Sequence, residues 1–269
     1  MKQFDSITFT EKEMKEMCDY VNHHSLLELI SEDLDLGRVN KDIERLVCKG
    51  YSKASDTLQQ GVKIISYEAG RVVIHETPFQ YPHLELIAAI DAGKEDVHLV
   101  GPMTGVFAHV FQKDVYVAQV RGQEISAPGK IQIVAGMGDY GLYPADTALK
   151  EVREEIGLKN PQLVLDRNRF LDVTPFMKSG RFPQPIFSYI VTGNFDYITP
   201  IIRNNSELVR FEASLPKEKP KEAYPFIIPL ENLRDFFSEV DALGKFYGPV
   251  KRTGDSFLDW YNQTFNRNY

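Results

Sequence analysis

The chain has 269 residues, 43% hydrophobic and 26% charged, the balance of an ordinary soluble globular protein long enough to bury a sizeable core. Its net charge of −7, from 31 basic against 38 acidic residues, and the lack of any basic run argue against binding along a nucleic-acid backbone. No apolar stretch approaches membrane-spanning length, and the opening residues MKQFDSITFTEKE lack a signal peptide's apolar core, so a cytoplasmic protein with no membrane partner is expected.

Thr10 and Glu13 form a capping box that opens a helix, with Met14, Met17, Cys18 and Val21 at helical spacing. Residues 26–30 continue that helix or begin a second, and 42–49 read as helical again. Cys18 and Cys48 have neither CxxC nor metal-ligand spacing and are expected to be reduced, buried thiols. The β-rich runs 62–67 and 72–76, joined by Glu68-Ala69-Gly70-Arg71, predict a hairpin. Loop-like residues at 81–82 and 91–96 place a domain boundary nearby. The expected division is a smaller helical and β-hairpin region over 1–98 and a catalytic domain over 99–269.

Beyond that boundary, 103–111, 115–120 and 131–135 are predicted strands, and the last runs straight into a glycine-rich turn. A helix at 144–156 follows, then strands near 162–171 and 185–192. Helices are expected at 231–240, with Leu233, Phe236, Phe237 and Val240 as its apolar stripe, and at 256–265, carrying Trp260. Hairpins mixed with helices, rather than regular βαβ alternation, indicate an α+β fold or an α/β/α sandwich.

The segment Gly136–Leu158 reads GMGDYGLYPADTALKEVREEIGL and holds the most informative chemistry of the chain. Pro144 suits a first helical turn and Gly157 a left-handed cap after the last. Ala145, Leu149, Val152 and Ile156 share one helix face, and Glu151, Glu154 and Glu155 are expected to project from the other. Three carboxylates so close repel one another, and hard oxygen ligands on one helix suit Mg²⁺ or Mn²⁺. A solvated acidic face, paired with Lys150 and Arg153, is the plainer alternative. Gly136, Gly138 and Gly141 also spell GxGxxG, the dinucleotide fingerprint. Its context fails, because Leu142, Tyr143 and Pro144 precede the helix and the acids behind it would repel a pyrophosphate.

The same segment resembles the Nudix box, GX5EX7REUXEEXGU, with U a bulky aliphatic. Gly136 matches the first glycine, and Lys150 through Leu158 follow in register. Two positions depart: Leu142 stands where the first Glu belongs, and Lys150 replaces the usual Arg, keeping its charge but not its planar fork. The resemblance covers roughly 103–240. It implies a Nudix-like α/β/α sandwich on a mixed sheet, and a Mg²⁺- or Mn²⁺-dependent pyrophosphohydrolase converting a nucleoside diphosphate derivative, NDP–X, into NMP and P–X.

By the same resemblance, Glu151, Glu154, Glu155 and the backbone carbonyl of Ala135 or Gly136 hold the metal. The general base is Glu151, Glu155 or Glu222, with Glu207 and Glu212 weaker candidates. Arg121 sits where many relatives face phosphate with an Arg; Arg181 and Lys150 are further candidates for the anionic substrate, and Phe182 for stacking a base. Pro175 lies near the spacing seen in ADP-ribose hydrolases, making ADP-ribose or a nucleotide sugar the expected substrate. The N-terminal region would contribute to a homodimer or a substrate lid. Leu142 favours an alternative, a catalytically weak nucleotide-sensing module on the same fold. A dinucleotide oxidoreductase ranks third. The six histidines share no metal-ligand spacing and are expected to serve packing or surface roles.

Overall fold

Runs of β-branched and aromatic residues, punctuated by Gly, Asn and Pro, set the strands. The computed structural model describes residues 58–68, 71–80, 104–122, 127–165, 170–178, 182–194, 200–216 and 223–269. For 58–80 apart from Gln59, and for 173–178 and 182–185, the backbone alone is described. The helices expected before residue 50 lie outside these residues. The chain falls into two compact units: Met1–Gly105 with Met137–Thr147 and Val173–Ile186, and Val106–Gly136 with Ala148–Asp172 and Phe187–Tyr269.

In the first unit, β1 (Leu58–Glu68) and β2 (Arg71–Gln80) form the expected hairpin, antiparallel from Leu58↔Gln80 to Glu68↔Arg71 with an irregularity between Ile64 and Ser66. Gln59 of β1 also bridges Asp139 of the glycine turn, and both side chains are buried. The turn is tied down further by the Gly138 N–H, which donates to the Thr104 carbonyl at 2.8 Å.

The second unit contains most of an eight-stranded sheet. Its strands are β3 (Gly105–Gln112), β4 (Val115–Arg121), β5 (Ile131–Gln132), β6 (Val134–Met137), β7 (Lys159–Leu163), β8 (Asp172–Lys178), β9 (Phe182–Asn194) and β10 (Ala223–Pro229). The order is β10-β4-β3-β9-β7, with β5 beside β4, β6 beside β3 and β8 beside β9. The helices are α1 (Pro144–Ile156), α2 (Asn205–Ser214), α3 (Leu230–Ala242) and α4 (Val250–Phe265).

Alternation along β4 sorts its side chains onto two faces. Tyr116 packs its ring on Phe237 of α3 at 5.9 Å and on Phe257 of α4 at 4.9 Å. Gln119, of opposite parity, reaches Glu155 of α1. Helices therefore cover both faces, as an α/β/α sandwich requires, and β3 accordingly lacks a solvent side: all but its last residue are buried. The helix on the Tyr116 face packs closely. A Cβ at Gly254 of α4 would fall 1.8 Å from Phe237 Cε2.

His109 belongs to this core. Its Nδ1 lies 2.8 Å from the Tyr116 hydroxyl, and its ring stacks on Phe257 at 5.7 Å between centroids. Burial holds the imidazole down to about 3 and pushes the Tyr116 hydroxyl well above its ordinary range. Its role is packing.

Three elements differ from expectation. The single strand predicted over 131–135 is broken at Ile133, so that β5 pairs with β4 and β6 with β3. The strand expected near 162–171 is instead β7, which starts at Lys159, followed by the separate β8 from Asp172. The helix α2 was not anticipated. Asn204 caps it by accepting from the Glu207 N–H at 3.0 Å, while Glu207 accepts from the Arg203 N–H at 2.8 Å. No described helix is long and apolar enough to cross a membrane.

Candidate active site

The helix α1 is delimited by its own sequence. Pro144 opens it, Asp146 places a negative charge in the first turn where the helix dipole favours one, and Gly157 follows in the left-handed region at φ 63°. The Gly157 N–H closes the end on the Arg153 carbonyl at 3.1 Å.

The carboxylates do not all leave from the solvent face. Ala148 and Val152 are fully buried, and residues 148, 151, 152 and 155 form one i, i+3, i+4, i+7 stripe. Glu151 and Glu155 thus flank the buried stripe and are half-buried, while Glu154 turns outward, with a side chain 60% exposed and 3.9 Å from Lys150. The two inward acids meet consecutive backbone positions of β6. The Glu155 carboxylate accepts at Oε2 from the Ala135 N–H at 3.4 Å and from Gln119 Nε2 at 2.6 Å. Glu151 lies so close over Gly136 that a Cβ there would meet its Cδ at 2.3 Å and its Oε1 at 2.4 Å. Only glycine leaves that carboxylate its place.

Along β4, Arg121 has the same parity as Gln119. Its guanidinium lies 3.9 Å above the Tyr247 ring, a cation–π contact, and Nη1 donates to the Gln132 side-chain oxygen. Tyr247 is held in turn by its N–H on the Ile131 carbonyl at 2.9 Å. The sheet surface next to the carboxylates therefore carries a fixed positive charge, and the segment after α3 supports it.

The NUDIX domain family matches residues 101–228. The chain carries a NUDIX domain. No curated protein matches it by sequence. Among solved structures, an ADP compounds hydrolase is similar with a TM-score of 0.41 and 12% identity, over 79% of this chain and 98% of that one. An ADP-ribose pyrophosphatase from Streptococcus suis gives 0.28 and 18%, over 49% and 77% of the two chains. A NUDIX hydrolase from Nitrosomonas europaea gives 0.32 and 17%, over 54% and 92%.

Within the NUDIX domain, the residues expected to act are brought together in part. Glu151, Glu155, Ala135 and Gly136 converge, and Arg121 lies on the same sheet two residues from Gln119. Glu154 and Lys150 face each other on the outer side. Leu142, in place of the box Glu, is 37% exposed in the turn. Glu212 is engaged with Lys245 at 2.8 Å, and Glu207 accepts from the Arg203 N–H at the start of α2. Arg181, Glu222 and the Phe182 side chain lie outside the described residues.

Among the described residues, no group of three His, Cys, Asp or Glu side chains is gathered to hold a metal ion. The donor set nevertheless fits a hard cation: two carboxylates stand over consecutive backbone positions, and Gly136 provides the space for one of them. Sequence reasoning missed Gln119, Gln132 and Tyr247. A glutamine inside the apolar run VYVAQV was the available signal for the first, since a buried polar residue is more informative than a buried apolar one. Nothing local marks Tyr247, which reaches Arg121 only through the fold.

Proposed function

We propose that this NUDIX domain is a cytoplasmic Mg²⁺- or Mn²⁺-dependent pyrophosphohydrolase that cleaves NDP–X to NMP and P–X, with ADP-ribose or a nucleotide sugar as substrate. The observation that carries the reading is the placement of Glu151 and Glu155 over the backbone of Gly136 and Ala135. Glu151 and Glu155, with a β6 carbonyl, would hold the cation, which when bound neutralises diphosphate charge and lowers the pKa of a bound water. Arg121, supported by Tyr247, orients the anionic substrate beside them. Water adds to one phosphorus, the P–O anhydride bond breaks, and the water proton leaves through a carboxylate of the site.

Leu142 favours a second reading, a nucleotide sensor with weak turnover, because it removes one carboxylate of the box. ³¹P NMR separates the two. Purified protein with Mg²⁺ is offered ADP-ribose, NADH, nucleotide sugars and dinucleoside polyphosphates beside Glu155→Gln. New monophosphate signals lost in the variant support the hydrolase. Binding without product from every compound supports the sensor and refutes the hydrolase.

A further inference from the structure

Gln119 stands in the middle of β4 and is fully buried. A valine or leucine would fill that place with no polar cost. Instead Nε2 donates to Glu155 Oε2 at 2.6 Å and to the Ile133 carbonyl at 3.4 Å. The amide's own oxygen is buried and has no hydrogen-bond partner among the described residues. Reversing the amide would set that oxygen against the Glu155 carboxylate, so charge fixes which end faces the acid. An unpartnered buried acceptor lowers stability. Gln119 therefore occupies a core position at a loss in stability, and the contact it makes in exchange is to a carboxylate of the box.

That contact defines a geometry. Oε2 of Glu155 receives two donors from different strands, the Gln119 amide of β4 and the Ala135 N–H of β6. Two donors converging on one oxygen fix both the rotamer and the plane of a carboxylate that would otherwise swing on a flexible stem. The 2.6 Å bond is short for an amide donor on a carboxyl oxygen.

We infer that Gln119 is a positioning residue: it clamps the Glu155 carboxylate in the orientation from which that group would hold a divalent cation. The inference rests on the metal site named under the proposed function, and it assigns to β4 a part in that site which the box motif does not contain.

The test uses the full chain with Mn²⁺ alone, followed by electron paramagnetic resonance, together with turnover and thermal melting. Gln119→Met keeps the shape and removes the donor; Gln119→Asn keeps the amide but falls one methylene short. Both are expected to bind Mn²⁺ about 10–100-fold more weakly than wild type. Turnover falls in kcat with KM little changed, and the Met variant melts at or above the wild-type temperature because the orphaned oxygen is gone. Wild-type Mn²⁺ affinity in a folded variant overturns the inference and leaves Gln119 a core residue. Absence of Mn²⁺ binding by the wild-type chain overturns it too. If the Met variant fails to fold, the Asn variant carries the same comparison. The hydrolase reading fails separately: Mn²⁺ binding weakened at position 119, with no compound cleaved by wild type, sinks the activity and leaves the clamp standing.

Discussion

Replacing Gly136 by alanine isolates the contribution of Glu151 without touching a charge. The backbone there is not in the left-handed region, so alanine meets no φ penalty, and a β-strand favours it slightly over glycine. The new methyl would lie 2.3 Å from Glu151 Cδ, 2.4 Å from Oε1 and 2.5 Å from Cγ, whereas ordinary contact begins near 3.4 Å. The carboxylate must therefore retreat by about 1 Å, a displacement that can cost about 100-fold in rate when a reacting constellation depends on it. Stability should change by no more than about 1 kcal/mol, because the obstructing atoms are the far end of a flexible side chain and overpacking is relieved by rotation. The assay pairs kcat at saturating Mg²⁺ and substrate with a denaturant melt of the same preparation. A variant with wild-type kcat would show that Glu151 does not act from its place over Gly136. A variant that loses activity only in proportion to its unfolded fraction would refute the reasoning as well.

The remaining predictions concern the core and the outer helix face. Gly254→Ala drives a methyl to 1.8 Å from Phe237, whose ring is only 1% exposed and has nowhere to go; a loss of about 3 kcal/mol is expected in urea unfolding, and a loss below about 1 kcal/mol would contradict the packing described. His109 is held down to about 3 in the folded chain but returns to 6.5 on unfolding, so the unfolded chain takes up a proton that the folded one refuses. This contribution to stability is complete above pH 6.5 and is lost at about 1.4 kcal/mol per pH unit as pH falls toward 3. Urea midpoints of wild type and His109→Phe across that range should differ in slope by about one proton, and parallel curves would remove His109 as the cause. Lys150→Ala breaks the exposed 3.9 Å pair with Glu154, and that pair should be worth less than about 0.5 kcal/mol; a larger loss by calorimetry would mean that Lys150 has a structural duty beyond that pair.

Much of the site was legible because its signals are local. Pro144, Gly157 and the spacing of Ala145, Val152 and Ile156 specify α1 without reference to the rest of the chain, and the observed helix has those bounds. The Glu68–Arg71 hairpin and the stripe of Leu233, Phe236, Phe237 and Val240 are of the same kind, each a short period read against one buried face. The errors have the opposite character. Glu151 and Glu155 read as solvent-facing because they are charged, yet they lie on the i, i+3, i+4 stripe with Ala148 and Val152, and a partner on the sheet is what allows a carboxylate there. The break at Ile133 follows from two different strands competing for pairing with one run of residues. Helix α2 carried a readable cap in Asn204 and Glu207, which the weak apolar pattern behind it obscured.

The sequence alone determined the helix, its glycine turn, the carboxylates that go with them and the kinship they imply, since all depend on offsets of a few residues along one stretch of chain. The tertiary structure decided which of those carboxylates point inward, that Gln119 meets Glu155 across 36 positions, and that Tyr247 lies under Arg121. Such contacts join residues whose separation along the chain bears no relation to their separation in space. They exist only once strand order and register place β4, β6 and α1 side by side.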